Sequence, residues 1–402
     1  MALETGAESI MAQSYIIAGC RTPIGRMQGG LSTVPAPQLG ADSVAESLRR
    51  AKLPGDAVDE VIMGNVLSAG LGQAPARQAA LFAELPPAVS ALTINKMCGS
   101  GLQAVMLADQ AIRLGDASCI VAGGMESMSR APHLLVGSRN GFRFGHQQIL
   151  DSMLHDGLWC AFEDIAMGCE ADYIAESRDV SRMDQDAFSA ESHRRAVEAM
   201  NQGAFDKEIV PVVISSRKGD VAISKDEGPR ADTTTDTLAK LRPAFDREGT
   251  VTAGNASQIS DGAATVVVVS ESLAAESQSP LKARIVAAAT SGVEPKEIFI
   301  APVTAIQKVL EKAKLSINDI DLFELNEAFA AQALACMRPL EMPHEKTNVH
   351  GGAVALGHPI GASGARILVT LLHALAQRDL KRGLASLCLG GGNAVAMIVE
   401  RV

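Results

Sequence analysis

The sequence has 402 residues, a formal net charge of −10, 36 glycines and only 3% aromatic residues. This length allows two or three domains with large cores, and the acidic balance argues against a general nucleic-acid binder. No apolar run approaches the ~18 residues that a membrane span needs, so no membrane partner is expected. The low content of aromatic residues predicts that helices pack closely on a sheet through small side chains.

The cysteines favour a reducing compartment. They are odd in number and none forms a Cys-x-x-Cys pair, so neither a disulfide framework nor a zinc site is indicated. No basic residue precedes Arg21, so the N-terminus does not resemble a signal or transit peptide. We expect a cytoplasmic protein in which residues 1–12 form a frayed extension. The seven cysteines are Cys20, Cys98, Cys119, Cys160, Cys169, Cys336 and Cys388.

Strand and helix patterns alternate through the first part of the chain. Segment 118–126 is apolar on both faces, which is typical of a strand in a sheet covered by helices on both sides. Segment 90–96 leads into a glycine turn at Cys98. The other predicted strands are 14–20 and 60–67, and the predicted helices are 38–52, 74–84 and 102–115.

The pattern becomes charged and irregular after residue 127, with a helical piece at 184–203, which indicates an insertion. Its opening, 128–150, holds Arg130, Arg139 and Arg143 and no acidic residue. A solvated loop face and an anion site explain that composition equally well.

The second half of the chain repeats the first in outline. The glycine-rich stretch 351–364 precedes an apolar helix at 365–377, much as the Cys98 turn precedes the helix at 102–115. An internal repeat of this size implies two similar halves packed together. The other predicted elements are strands at 261–270, 283–289, 321–325, 384–389 and 394–400 and a helix at 303–314.

Cys98 is the first candidate catalytic residue. It lies in Asn-Lys-Met-Cys-Gly-Ser-Gly, at a sharp bend before a buried helix. The positive end of a helix dipole favours thiolate, so we expect the thiol pKa to fall below its usual ~8.5. An inert core cysteine is the alternative.

Other stretches of the sequence contain further candidate catalytic residues. His358 occupies in the second half the place of Cys98 in the first, and an imidazole beside a thiol is the usual activation pair for a cysteine nucleophile. Cys388 ends a strand before three glycines, which either form a bulge or expose N–H groups as oxyanion donors. Asn326, after another strand, adds an amide that can hold a water or a carbonyl oxygen.

Four motifs together resemble those of the thiolases, in the same order. They are Asn-Lys-Met-Cys98-Gly-Ser-Gly, Asn326-Glu-Ala-Phe-Ala, Gly-His358-Pro-Ile-Gly-Ala-Ser-Gly and Cys388-Leu-Gly-Gly-Gly. The resemblance implies an α/β protein with the thiolase fold, in which two similar βαβ-rich halves form five αβαβα layers. It also implies an inserted loop domain that binds coenzyme A and makes oligomer contacts.

The expected division follows from the resemblance and the repeat. The N-terminal half comprises 13–127 and 260–280, the loop domain comprises 128–259, and the C-terminal half comprises 281–402. The resemblance also implies a homo-oligomer, either a dimer or a homotetramer. The substrates would be coenzyme A thioesters, with coenzyme A as substrate or product, no permanently bound cofactor and no metal.

The resemblance also implies roles for individual residues. Cys98 would take the acyl group, His358 would activate it, and Cys388 would move a proton to or from the second acetyl group. Asn326, through a water, and His358 would hold the enolate oxygen. The backbone N–H groups of Cys98 and Gly390 would hold the oxygen of the acyl-cysteine.

The same carry-over assigns the substrate contacts. Ser257 resembles a pantetheine contact and Arg230 a nucleotide contact. Leu158, Met167 and Phe329 would close the acyl end of the pocket.

One position departs from the family pattern. Acetoacetyl-CoA-specific thiolases usually carry histidine before the methionine that follows Asp-Gly-Leu, and Ala166 stands there. The expected activity is that of an acetyl-CoA C-acetyltransferase, the reversible condensation of two acetyl-CoA to acetoacetyl-CoA and coenzyme A. The alternative is a broader 3-ketoacyl-CoA thiolase of fatty-acid β-oxidation.

Three other classes remain open. A ketoacyl-synthase-like enzyme would place histidine where Asn326 stands, and a Cys-His hydrolase would need no second cysteine. A thiolase fold that has lost catalysis is the third, since a fold does not establish function.

Overall fold

The computed structural model describes residues 12–215, 217 and 219–402. All but the last position of the predicted frayed extension, 1–12, lies outside these residues. The helices are α1 Ala36–Ala51, α2 Pro75–Phe82, α3 Ser100–Leu114, α4 Met167–Ser177, α5 Arg182–Asn201, α6 Thr235–Leu238, α7 Glu271–Glu276, α8 Ala301–Ala313, α9 Ala330–Met337, α10 Ala353–Leu356 and α11 Ser363–Gln377.

The strands fall into one large sheet and three short hairpins. They are β1 Ser14–Arg21, β2 Gly25–Arg26, β3 Glu60–Gly64, β4 Ser90–Ile94, β5 Cys119–Ser127, β6 His133–Leu134, β7 Leu150–Asp151, β8 Trp159–Cys160, β9 Ile165–Ala166, β10 Val212–Ile214, β11 Val221–Ile223, β12 Ser260–Ser270, β13 Ala283–Gly292, β14 Leu322–Leu325, β15 Arg382–Leu389 and β16 Asn393–Arg401.

The sheet shows the predicted repeat directly. One half has the order β1-β12-β5-β3-β4 and the other β13-β16-β15-β14. In each, the first two pairings are antiparallel and the third is parallel. The halves join edge to edge through β1 and β13, where Tyr15 faces Arg284 and Ile16 faces Ala283. The prediction of two similar halves is confirmed.

Helices cover the outer face of each half of the sheet, and two further helices lie between the halves, which gives the five predicted layers. Helices α1 and α2 pack on the outer face of the first half's strands, and α8 packs on the outer face of the second half's strands. Helices α3 and α11 lie between the two halves, where they contact each other and the strands of both halves. The alternation along β5 fits this arrangement, since Ile120 belongs to the inner core and Val121 to the outer one. Every residue of β5 is buried, as expected for a strand covered on both faces.

Two glycines allow the central helices to meet at their N-termini. A Cβ atom on Gly101 would lie 2.7 Å from the backbone nitrogen of Ala365, and one on Gly364 would lie 2.5 Å from that of Leu102. Only glycine permits backbones to approach this closely. The turns that carry Cys98 and His358 are therefore brought together by the helices that follow them.

Residues 128–259 contribute α4, α5, α6 and the three hairpins, β6 with β7, β8 with β9 and β10 with β11. Helix α5 begins at a capping box, in which the Ser181 side chain accepts from the backbone N–H of Asp184. Helix α4 packs on α9, and α5 packs on α9 and α10, so the segment lies against the C-terminal half. The boundaries proposed for it remain a prediction.

Candidate active site

One cavity of about 640 Å³ lies where the two central helices begin. It is lined by residues of both halves and of the segment 128–259. Nine of the ten residues predicted from the sequence line it, and Asn326 is the exception. The nine are Cys98, His358, Cys388, Gly390, Ser257, Arg230, Leu158, Met167 and Phe329.

The Cys98 turn is held rigidly by its own hydrogen bonds. The Ser100 hydroxyl donates to the Met97 carbonyl oxygen at 2.6 Å and accepts from the Lys96 backbone N–H at 2.8 Å. Met97 has a positive φ of 47°, a costly conformation for a side chain of this kind. The strain and the bonds together fix where the Cys98 side chain can lie.

The Cys98 thiol is less acidic than the sequence predicted. Burial raises its pKa to about 11, although the backbone N–H groups of Cys98 and Gly390 lower it. The expected lowering by the helix dipole is therefore wrong, because desolvation of the thiolate outweighs the nearby donors. Cys98 needs a base to remove its proton.

His358 has the tautomer that such a base requires. Its Nδ1 lies 2.6 Å from the Ser363 hydroxyl, which donates its only hydrogen to the Pro359 carbonyl oxygen at 2.8 Å. Nδ1 must then carry the proton in the first bond, which leaves a lone pair on Nε2. Within the described part of the chain Nε2 has no hydrogen-bond partner. Nε2 is therefore free to act as a base for a group in the cavity, which Cys98 also lines.

The imidazole of His358 is neutral at ordinary pH. Burial, with a contribution from the Arg366 charge, lowers its pKa to about 3. Its backbone N–H donates to the Gln258 carbonyl oxygen at 3.1 Å, which ties the histidine to the segment that carries Ser257.

Cys388 is the second thiol of the cavity and is 2% exposed. Burial raises its pKa well above the usual value, and the neighbouring Cys98 thiol raises it further. Both thiols line the same cavity. Gly390, which follows β15, presents its backbone N–H to Cys98, as described above.

Asn326 is fully buried directly after β14 and does not line the cavity. Its backbone N–H donates to the Ser386 carbonyl oxygen at 3.0 Å, so it lies beside the strand that carries Cys388. Neither polar atom of its amide has a partner among the described residues. A buried amide in this state is a typical site for an ordered water.

The substrate contacts predicted from the family also lie on the cavity wall. The Ser257 backbone N–H donates to the Ala328 carbonyl oxygen at 3.0 Å, and the Arg230 backbone N–H donates to His193 Nδ1 at 3.1 Å. The Arg230 side chain is exposed. Arg26 and Met27 also line the cavity and had no signal in the sequence, since the pairing of β2 with β12 places them there.

The part of the cavity around Phe329, where the acyl group was predicted to lie, contains more rings than the sequence predicted. Phe329 makes edge contacts with Phe299 at 5.2 Å and with Phe245 at 6.2 Å between ring centroids. A Cβ atom on Gly168 would lie 2.2 Å from the Phe245 ring, so the start of α4 packs directly against it. Ala166 also lines the cavity.

Glu126 was missed as a candidate, although it ends an otherwise apolar predicted strand. Burial raises its pKa to about 7, against backbone N–H donors that lower it. Ser363 lay inside a quoted motif, but only the structure shows that it orients His358.

The arginines at the opening of the insertion do not line the cavity. Arg139 and Arg143 are exposed, and Arg130 donates to the Thr33 carbonyl oxygen at 3.3 Å. The solvated loop face therefore describes Arg139 and Arg143 better than an anion site does.

The residues that the structure describes hold neither a metal-ligand cluster nor a membrane-spanning helix. They contain no group of three or more His, Cys, Asp or Glu side chains suited to a metal ion. None of their helices combines the length and the apolar character needed to cross a membrane.

Comparison with known proteins agrees with this geometry. The thiolase N-terminal domain matches residues 14–272 and the thiolase C-terminal domain matches residues 279–401. An acetyl-CoA acetyltransferase of Cupriavidus necator is 52% identical over 97% of this chain and 100% of its own length. A probable acetyl-CoA acyltransferase of Staphylococcus aureus is 50% identical over the same shares. The crystal structure of the Bacillus anthracis acetyl-CoA acetyltransferase superimposes with a TM-score of 0.95 at 44% identity, covering 98% of this chain and 99% of that one. The chain belongs to the thiolase family.

Proposed function

We propose that this chain is an acetyl-CoA C-acetyltransferase, which condenses two acetyl-CoA to acetoacetyl-CoA and coenzyme A and runs the reverse thiolysis. The observation that carries the proposal is one cavity lined by two thiols, a neutral imidazole and the backbone N–H donors of Cys98 and Gly390. Relatives about half identical over their full length bear that name. Coenzyme A would be substrate and product, with no permanently bound cofactor.

The first half-reaction moves an acetyl group to Cys98. His358 Nε2 takes the thiol proton, and the sulfur attacks the thioester carbonyl carbon. The N–H groups of Cys98 and Gly390 would stabilise the oxyanion, each donor contributing about 3 kcal/mol. The carbon–sulfur bond to coenzyme A then breaks, and the departing thiolate takes the proton of Cys388.

The second half-reaction forms the carbon–carbon bond. Cys388, now a thiolate, removes a proton from the methyl group of a second acetyl-CoA. The enolate oxygen would be held by protonated His358 and by a water on Asn326. The enolate carbon attacks the acetyl group, the bond to Cys98 breaks, and the Cys98 sulfur recovers its proton from His358.

Other classes fit this site less well. A hydrolase needs neither Cys388 nor the buried amide of Asn326, and a ketoacyl synthase would be expected to carry histidine at that position. The relatives named acetyl-CoA acetyltransferase, such as that of Cupriavidus necator, support acetyl transfer, although the Staphylococcus aureus relative bears the broader acyltransferase name. Acceptance of longer chains, which Ala166 suggests, stays a separate prediction.

The proposal extends to assembly and location. Strand β4 is an edge strand, and Leu81, Phe82 and Leu92 near it are exposed apolar residues. Exposed apolar side chains beside an open sheet edge favour association, so we propose a dimer or a homotetramer. All cysteines are free thiols, which suits a cytoplasmic enzyme. Light scattering on the purified protein tests the assembly, and a monomer at working concentration contradicts it.

The decisive experiment measures both directions with a Cys98→Ala control. Wild type is expected to form acetoacetyl-CoA from acetyl-CoA and to cleave it with free coenzyme A, and the variant to do neither. Release of coenzyme A accompanied only by acetate would show a hydrolase and would overturn the proposal.

A further inference from the structure

A buried carboxylate joins the two halves of the molecule beside the cavity. Glu126, at 0% exposure on β5, accepts four hydrogen bonds. Its Oε1 accepts from the Asn65 side chain at 2.8 Å and the Leu67 backbone N–H at 3.1 Å. Its Oε2 accepts from the backbone N–H groups of Val66 at 3.0 Å and Gly361 at 2.9 Å.

The bond to Gly361 is the one that crosses between halves. Gly361 lies three residues after His358, in the turn that leads into α11. A Cβ atom on Gly361 would lie 2.6 Å from Glu126 Oε2, so the carboxylate lies directly against this backbone. The other end of the turn is held by the His358–Ser363 bond already described.

We propose that Glu126 is a positioning residue that holds His358 at Cys98 by anchoring the Pro359–Gly361 turn to the first half. The inference rests on the function proposed above, because it concerns the base of that reaction. Glu126 does not line the cavity, so it acts through the turn and not on substrate. A carboxylate is suited to the task, because each of its two oxygens can accept two N–H donors.

The charge of Glu126 works against the effect of its hydrogen bonds. Above its own pKa of about 7, Glu126 is charged, and this charge raises the pKa of Cys98, so removing the charge alone makes that thiol more reactive at pH 8. Loss of anchoring makes it less reactive, because His358 moves away. The two effects have opposite signs and can be separated.

Two variants make the separation. Glu126→Asp keeps the charge but is one methylene shorter and cannot reach both loops. Glu126→Gln loses the charge but keeps the reach. Its amide nitrogen would take the place of Oε1 and lose the bonds from Asn65 and Leu67, which both lie within the first half. Its oxygen can still accept from the backbone N–H groups of Val66 and Gly361, so the bond between the halves is kept.

The readout is the rate at which iodoacetamide alkylates Cys98, followed by peptide mass spectrometry. A small displacement of a catalytic group can cost up to ~100-fold, so we expect Glu126→Asp to slow alkylation at least ~tenfold and Glu126→Gln to stay within ~3-fold of wild type. The reverse order, or an unchanged rate in Glu126→Asp, would refute anchoring.

A His358→Ala background separates positioning from general structural damage. If Glu126 acts through His358, Glu126→Asp adds no further loss once the imidazole is gone. Equal slowing in both backgrounds would contradict the proposal. Alkylation needs no turnover of coenzyme A thioesters, so a wild type without thiolase activity would defeat the proposed function and leave this result standing.

Asp109→Asn is the matched control. Asp109 is also a buried carboxylate, at 7% exposure, and it accepts from the Ser14 hydroxyl and from Arg113 on α3. It lies nine residues beyond Ser100, about 13 Å along the helix from the Cys98 turn. We expect it to lower the melting temperature and to leave alkylation of Cys98 unchanged. Slowing equal to that of Glu126→Asp would contradict a specific role for Glu126.

Discussion

At the scale of single residues, the two thiols of the cavity differ in their surroundings and therefore in their expected work. Cys98 lies against two backbone N–H donors, while Cys388 is buried among apolar side chains beside Cys98. The sequence supplied both cysteines and the histidine through their glycine-rich settings. It could not supply the sign of the Cys98 pKa shift, because desolvation depends on the whole assembled core.

The first prediction separates acyl transfer from proton transfer. Cys388→Ala should still become acetylated at Cys98 by acetyl-CoA, because the nucleophile and its base remain. It should hardly form or cleave acetoacetyl-CoA, because no group removes the methyl proton. Mass spectrometry after mixing with acetyl-CoA measures the adduct. A folded variant without an adduct, when wild type shows one, would rule out this division of work.

The second prediction concerns pH. The pKa of His358 is lowered to about 3 and that of Cys98 is raised to about 11, so both groups are neutral between these values. The part of the Cys98 alkylation rate that His358 assists should be constant from pH 6 to 8, with no inflection near the usual histidine pKa of ~6.5, and the rate should rise toward pH 10 as unassisted thiolate forms. His358→Ala should remove the constant part and leave the rise. An inflection between pH 6 and 7 that leads to a plateau would instead reveal a preformed thiolate–imidazolium pair.

At the scale of elements, periodicity predicted the long segments well and the short ones poorly. The predicted helix at 38–52 is observed at Ala36–Ala51, because apolar spacing marks a helix that buries one face. Helix α4 and the hairpin of β8 and β9 were not predicted. Strands β8 and β9 have two residues each, too few for any repeat, so tertiary contacts decide their conformation. Helix α4 has 11 residues, but its sequence shows no pattern clear enough to predict it.

The crossing of α3 and α11 gives the third prediction. Alanine favours a helix by about 1 kcal/mol over glycine, yet at Gly364 its Cβ would meet a backbone nitrogen at 2.5 Å. Overpacking against backbone costs ~1–3 kcal/mol and should outweigh that preference. Gly364→Ala should therefore lower both the stability and the activity, as urea denaturation and thiolysis assays would show.

The control for this variant is Gly292→Ala. Its Cβ would lie 3.9 Å from the nearest atom outside its immediate chain neighbours, so nothing has to move. Its free energy of unfolding should change by less than ~0.5 kcal/mol. If Gly364→Ala were equally harmless, the close approach of the two helices would not require glycine.

At the scale of the whole molecule, the repeat and the fold class were predictable, because both halves carry the same order of strands and helices. The composition of the cavity was only partly predictable. Phe245 and Phe299 are far apart in the sequence and reach the acyl end only after the segment 128–259 folds onto the C-terminal half. No local sequence pattern predicts that these rings come into contact.

The last prediction concerns the range of substrates, which we expect the residues around Phe329 and Ala166 to set. Ala166 lines the cavity where the family resemblance leads us to expect histidine, so the cavity has extra space there and lacks a polar partner. The ring cluster around Phe329 limits the space without filling that position. An extra methylene in an apolar pocket changes binding by only ~1–3 kcal/mol, so one residue can shift the range.

We therefore expect acetoacetyl-CoA to be a good substrate and 3-ketoacyl-CoAs of six and eight carbons to be accepted as well. Ala166→His should narrow the range toward four carbons by refilling the space, while Ala166→Val, which fills space without a polar atom, separates volume from hydrogen bonding. Thiolysis rates with free coenzyme A, compared as kcat/KM across the three lengths, measure both effects. If wild type cleaves only the four-carbon substrate, the rings of Phe245, Phe299 and Phe329 already close the cavity, and Ala166 does not set its length.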